Sequence, residues 1–398
     1  MRAYCLPPTA IALLIAFCLL PVAPPREYDS SEHHAFFLHV FRLHLKPTFL
    51  TPGLSSTSHS SRQKGQEVMQ ALLRTLFVSL CLAQLVSAQG GVPERHFTFH
   101  YAFTVRNTHP GAPLRVWIPL AHSGDFQTVR VVSQTGDLPL RQTRESEYAD
   151  EMLYAETAKA DKDAYNFEVI YDVVRKQSSA GGVGTLRAAE QKRLLSPDKL
   201  VPTTGLPAEL AVKQVAGVKG GDYDKGRAMY EYVLANMRYD KSGTGWGHGD
   251  TLYACNAKHG NCTDFHALFI SMARSQNIPS RFEIGFSVPT DKHSADIAGY
   301  HCWADFYTKD RGWVPVDISE AWKHPEQREF FFGHWDDNRV QFSAGRDITL
   351  SPKQDGAPLN YFVHPYVELD RQEYPNVSTH FSFEDVGYEQ TPNRAAVN

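Results

Sequence analysis

Alternation dominates the early part of this chain. Phe97, Phe99, Tyr101, Phe103 and Val105 are separated mostly by polar residues, and so are Tyr165, Phe167, Val169, Tyr171 and Val173. A period of two turns one side of each segment inward, so both are predicted as half-buried strands. Shorter runs at 114–120 and 128–133 predict two more. His109-Pro110-Gly111 and Thr135-Gly136-Asp137 are turn sequences between them. Many short strands with such turns predict a β-sandwich over residues 93–176. Residues 177–184, Gln-Ser-Ser-Ala-Gly-Gly-Val-Gly, have the composition of a linker.

After the linker the period becomes helical. Residues 207–216 and 224–237 are predicted helices. In the second, Ala228, Met229, Tyr232, Val233 and Asn236 share one face, which the pattern assigns to the core. Residues 262–277 carry Phe265, Leu268, Phe269, Met272 and Ala273 at the same spacing, and Ile278-Pro279 ends that helix. Gly260-Asn261 precede it as loop residues, with Asn261 available as a cap. Two strands are predicted at 300–307 and 313–318, joined by a hairpin turn at 308–312. Further strands are predicted at 330–333, 340–342 and 361–369, with a tail from 376 to 398. The fold class is therefore α+β.

Two apolar runs precede all of this. Met69-Gln-Ala-Leu-Leu-Arg74, apolar residues 75–83 and then Val86-Ser87-Ala88 have the layout of a secretory signal peptide at 69–88, with cleavage after Ala88. The other run, 10–20, is short for a bilayer span. Residues 21–65 are rich in Ser, His and Pro without periodicity. These features suit a translation start at Met69, with 1–68 a mis-assigned upstream extension or an unstructured leader. The alternative keeps 1–68 translated and makes 69–83 an internal anchor. On the first reading the protein is exported, periplasmic or extracellular, and the mature chain has no stable membrane span.

A formal net charge of −4 over 398 residues argues against a nucleic-acid partner, which needs a basic surface. Of six cysteines, Cys5, Cys18 and Cys81 fall in or before the signal segment, leaving Cys255, Cys262 and Cys302. An odd count leaves a thiol free in an oxidising compartment. If His301 faces a site, alternation sends Cys302 to the other side of its strand as a small core residue. A Cys255–Cys302 bridge is the alternative use for it.

Chemistry enters with three short motifs: Gly260-Asn261-Cys262-Thr263-Asp264-Phe265, Tyr300-His301-Cys302-Trp303 and Gly312-Trp313-Val314-Pro315-Val316-Asp317. Cys262 falls in the first helical turn, where free amides and the helix dipole favour an anion and lower a thiol pKa. Its backbone N–H also points where an oxyanion would form. An imidazole can accept the thiol proton and a carboxylate can hold the imidazole's tautomer. Pairing Tyr307 with Arg311 would set His301 opposite Asp317, and a slip of one residue would set Asp317 opposite Cys302.

These motifs resemble those of the transglutaminase-like superfamily of papain-like thiol enzymes, over residues 224–318. The resemblance implies a papain-like transglutaminase core at 189–375, with a C-terminal β extension, preceded by the β-sandwich domain. It implies Cys262 as nucleophile, His301 as base and Asp317 as the orienting acid. Trp246, Asn261 and Trp303 become candidates for lining the substrate cleft. The implied chemistry is acyl transfer from a peptide or protein amide through a thioester. Hydrolysis is the first reading and protein-glutamine transamidation the second. A non-catalytic extracytoplasmic binding module is the third. No cofactor and no metal are expected. The Gly-rich loop 241–250 lacks a phosphate-loop Lys, and His334-Trp335-Asp336-Asp337 reads as a solvated turn. A zinc site from His259, Cys262, His301 and Cys302 would conflict with strand alternation at 301 and 302.

Overall fold

The computed structural model describes residues 92–181 and 185–387, which all belong to one compact unit. The expectations for the leader and signal segments lie outside the described residues. Among those residues no helix is long and apolar enough to cross a membrane.

The two strongly alternating segments are strands Glu94–Arg106 and Ala164–Lys176, paired antiparallel along their whole length. They are the middle of a five-stranded sheet that runs Ser294–Asp296, Val377–Asp385, Glu94–Arg106, Ala164–Lys176, Gln127–Gly136. The strand Val377–Asp385 lies where a tail was expected. Phe381 and Phe383 alternate with polar residues and bury against the sheet, and the Phe381 ring sits 4.7 Å from that of Tyr101. A second five-stranded sheet runs Gln372–Glu373, Tyr366–Leu369, Leu114–Pro119, Glu151–Thr157, Arg141–Arg144. Both β-sheets of the early chain are therefore completed by late chain.

A third sheet carries the motif residues. It runs Gly312–Val316, His301–Thr308, Ser280–Ser287, Arg339–Ala344, all antiparallel. Every residue of His301–Thr308 is buried, because the strand is covered on both faces. On one face Phe306 meets Phe269 of helix Cys262–Ser275 at 5.7 Å, and on the other Trp303 meets Trp335 at 5.9 Å. Phe286 and Phe342 of this sheet pack on Phe99 and Tyr101 of the first sheet. One apolar core thus runs through both.

The predicted helices are present as Leu206–Val215, Asp222–Asn236 and Cys262–Ser275. In Asp222–Asn236 the buried face is Gly226, Met229, Tyr230 and Val233, whereas Ala228 and Tyr232 are half-buried and Asn236 is exposed. Gly226 explains the rotation: a Cβ there would lie 2.4 Å from the Phe306 ring, so this is where the helix comes closest to the strand. Residues 330–333 form no strand. They turn beside Pro315–Asp317, where Phe331 accepts the Asp317 N–H and Gly333 donates to Pro315.

Candidate active site

Cys262 opens the helix Cys262–Ser275, every residue of which from Cys262 to Arg274 is buried. Asn261 caps it as expected. Its side-chain oxygen accepts the Thr263 N–H at 3.0 Å, while its own N–H donates to Asp264 at 3.0 Å. Such a cap is worth about 1 kcal/mol, small beside the apolar burial of the helix, so its role is to fix where the first turn begins. Asp264 does more. The same carboxylate accepts the N–H of Gly247 at 2.7 Å and of Gly249 at 3.0 Å, tying the Gly-rich loop to the Cys262 turn. Both glycines have positive φ, +88° and +59°, a conformation most side chains avoid. The Gly spacing hinted at this loop's shape, but nothing local said that Asp264 holds it.

The hairpin register differs from the expected one. Tyr307 pairs with Trp313 and Thr308 with Gly312, so the turn is Lys309-Asp310-Arg311 and the ladder ends at Ala304–Val316. The turn still has three residues but sits one place further along, which moves Asp317 two places against the facing strand, beyond the last pair and to the start of helix Ile318–Lys323. His301 nevertheless reaches it, with Nε2 at 2.7 Å from Asp317 Oδ2. The other oxygen, Oδ1, caps the short helix by accepting the Glu320 N–H at 3.1 Å and the Ser319 hydroxyl at 3.1 Å. Arg339 donates to Oδ2 at 3.0 Å and to Asp336 at 3.1 Å. Its guanidinium lies 4.7 Å from the Trp303 ring centroid. Asp336, expected in a solvated turn, therefore anchors the arginine behind Asp317.

Charges here reinforce one another. Burial pushes the Cys262 thiol up, but hydrogen bonds to Cys302 and His301 and the charge of His301 outweigh it and hold the thiol well below its usual range. Burial pushes His301 down, but Asp317's charge and hydrogen bond, with help from Cys262, raise it to about 10. Burial would raise Asp317, yet His301 and Arg339 hold it well below the usual carboxylate range. The arrangement favours a thiolate beside an imidazolium in neutral water, with a carboxylate behind the ring.

Cys302 lies in the core on the opposite side of its strand from His301 and Trp303, as alternation placed it. It is fully buried, with Sγ 3.6 Å from His266 Nδ1. Even-numbered residues of its strand face the helix that begins at Cys262, where Phe306 meets Phe269 and Cys302 meets His266. Cys255, Cys262 and Cys302 are all free thiols, so the Cys255–Cys302 bridge is absent.

Of the cleft candidates, Asn261 is only 4% exposed, and its amide donates to the Tyr300 hydroxyl at 3.1 Å. Tyr361 donates to that hydroxyl at 3.3 Å. Trp246 is half-buried in the loop, with Nε1 donating to Gly243. Trp303 is fully buried, donates to Glu283 at 2.8 Å and stands 5.7 Å from the His301 ring. It walls the histidine from within, because the odd-numbered side of its strand is covered by Trp335. His301, Asp317 and Glu320 are the one group among the described residues with ligand atoms close enough for a metal. Arg339 already occupies the Asp317 oxygen and its charge opposes a cation there.

The site thus combines a thiol at a helix start with an imidazole on the facing strand and a carboxylate just past the hairpin's last pair. Residues 209–318 match the model of the transglutaminase-like superfamily, so this stretch is a transglutaminase-like core, as the motifs suggested. A protein of Haemophilus influenzae, itself uncharacterized, is 25% identical over 351 residues, covering 76% of this chain and 94% of its own. A crystal structure from Cytophaga hutchinsonii, provisionally named a cysteine protease, covers 76% of this chain and 94% of that chain at 14% identity and a TM-score of 0.46. The periplasmic domain of TgpA from Pseudomonas aeruginosa covers 58% of this chain and 90% of that one at 14% identity and a TM-score of 0.32.

Proposed function

We propose that the protein is an exported thiol hydrolase that cleaves amide bonds in peptides through Cys262, His301 and Asp317. The observation that carries this reading is the 2.7 Å hydrogen bond between buried His301 and Asp317, next to the strand-facing helix that the buried Cys262 thiol opens. Because Nε2 of His301 faces the carboxylate, Nδ1 is left for the thiol. The thiolate attacks the amide carbon, and the Cys262 N–H at the helix start stabilises the oxyanion. The imidazolium gives its proton to the departing amine and a thioester remains. His301, now neutral, takes a proton from water, hydroxide adds to the thioester, and the thiolate leaves. Asp317 holds the ring and stabilises its charged form throughout.

Incubation with a mixed peptide library, with and without a primary amine, tests the reaction. New amino termini from the wild type and none from Cys262→Ala support hydrolysis. Incorporation of the amine in place of cleavage would move the assignment to transamidation. Equal products from both proteins would sink the thiol mechanism. Export rests on the 69–88 signal pattern, and amino-terminal sequencing of the secreted form should begin at Gln89. A cytosolic product that keeps residues 69–88 would refute it.

A further inference from the structure

Beside the Cys262 turn, one tyrosine ring gathers two lysines from separate parts of the chain. Tyr239 lies on a two-residue strand, Arg238–Tyr239, that runs parallel to His259–Gly260, and the Asp240 N–H donates to the Gly260 carbonyl at 3.1 Å. Gly260 stands just before the Asn261 cap of the Cys262 helix. The Tyr239 ring is 6.2 Å from that of Phe265, one turn after Cys262, and 6.5 Å from that of Trp322, on the short helix that Asp317 caps. Tyr239 therefore bridges the element that carries the thiol and the element that follows the carboxylate. It is half-buried, so part of the ring faces water.

Lys323 comes from the short helix, with Nζ 4.3 Å from the Tyr239 ring centroid. Lys241 opens the Gly-rich loop, with Nζ 5.7 Å from the same centroid and 5.9 Å from that of Trp246. Gly247, next to Trp246, is held by Asp264 at 2.7 Å, so both rings around Lys241 belong to segments anchored at the Cys262 turn. The two lysines differ in the partners they already have. Lys323 is paired with Glu320 at 2.6 Å. Lys241 is exposed and, among the described residues, has no carboxylate partner, while the side chain of neighbouring Asp240 takes the Ser242 N–H at 2.9 Å. An aromatic face holds an exposed ammonium only weakly, so its charge stays available to an anion.

Two ammonium groups and one carboxylate leave an excess of positive charge at the mouth of the site, in a chain whose net charge is −4. We infer that the cleft selects a peptide with a carboxylate close to the scissile bond, either its own C-terminus or an Asp or Glu side chain, and that Lys241 is the residue that pairs with it. The inference deepens the peptide-hydrolase reading and rests on it. Lys241 is a specificity residue here and takes no part in the bond-breaking steps.

Two measurements on the full-length protein test it. The first is the mixed peptide library, supplied with free and with amidated C-termini. Bonds cleaved by the wild type should cluster beside carboxylates. Loss of that cleavage on amidation assigns the terminal carboxyl, and cleavage that persists beside Asp and Glu assigns the side chain. Lys241→Glu should lower the preference for acidic over neutral sites about two- to fivefold, the worth of an exposed ion pair. Lys241→Gln, which removes the charge without reversing it, should fall between, and thermal melts check that both variants keep the fold. The second measurement compares alkylation of Cys262 by iodoacetate and by iodoacetamide, with Cys262→Ala as the blank. Both reagents consume thiolate, so their ratio cancels any effect of Lys241 on the thiolate population. That ratio should fall by a similar factor in Lys241→Glu. Wild-type cleavage without a carboxylate preference overturns the inference, and so does an unmoved ratio. A wild type that cleaves nothing defeats the hydrolase reading instead, and the alkylation ratio still decides whether Lys241 draws an anion to the thiol.

Discussion

His301 Nε2 lies 2.7 Å from Asp317 Oδ2, although the two residues are not partners in the hairpin ladder. The bond is made past the end of the last strand pair. It survives because Asp317 is held from two further directions, by Arg339 on Oδ2 and by the amide of Glu320 on Oδ1. One carboxylate thus orients the imidazole and caps the next helix, which couples the placement of the ring to local stability.

Asp317→Asn tests that coupling. The amide cannot stabilise imidazolium and can favour the wrong tautomer. The rate should fall about ten- to a thousandfold, less than the roughly 10⁴-fold loss when a serine triad is changed in this way, because a thiolate–imidazolium pair leans less on its third member. The melting temperature should fall as well, since Arg339 loses one of its two charge partners. Rates taken well below the melting point separate the two effects. His301→Ala should lose more activity than Asp317→Asn, and full activity in Asp317→Asn would remove it from the mechanism.

Arg339 is predicted to matter first for stability. Its side chain and Asp317 are both buried, and removing one member of such a pair costs about 3–5 kcal/mol. Arg339→Leu should therefore melt well below the wild type. Arg339→Lys should recover only part, because one ammonium cannot replace a fork that reaches both Asp317 and Asp336. Wild-type melting in Arg339→Leu would show that the ion pair is incidental.

Asp264→Asn should loosen the 243–250 loop. An amide offers one oxygen to three N–H donors and turns an N–H toward the rest, a loss of about 1–3 kcal/mol. Amide exchange at Gly247 and Gly249 should quicken, and proteases should cut within the loop more readily. Unchanged exchange at both glycines would count against the tether.

The charged pair also predicts a pH profile for stability. His301 is raised to about 10 when folded, against about 6.5 unfolded, so its contribution is full below about 6.5 and is lost as pH rises. Cys262 is depressed when folded, so its contribution is present above about 8.5, its unfolded value, and fades as pH falls. Between those unfolded values the proton held by His301 balances the one released by Cys262, and wild-type stability should be level. Cys262→Ala removes the balance, so its stability should decline with rising pH from near neutrality. Thermal melts of the two proteins over this range check it; a level profile in Cys262→Ala argues against the ion pair.

Much of the site could be read from the chain because its signals are local. The helical spacing after Cys262, the Asn261 cap and the Ile278-Pro279 stop lie within one short stretch, and so does the hairpin that bears His301 and Asp317. The long alternating strands were equally plain, since period two needs only neighbouring residues. What tertiary structure decided involves elements far apart in sequence. The hairpin register shifted by two because the loop closes on Thr308 and Gly312, and loop closure depends on how the strands fit the sheet. The strand Val377–Asp385 exists because Glu94–Arg106 offers it an edge. Arg339 and Asp336 come to Asp317 from the opposite edge of the sheet, across two intervening strands, and their charges carried no local mark of burial. Cys302 looked like a small core residue, and only the packing of its strand under the helix brought it against His266. The sequence by itself determined which residues could do chemistry; three-dimensional packing determined which of them touch, and hence which hold a proton and which give it up.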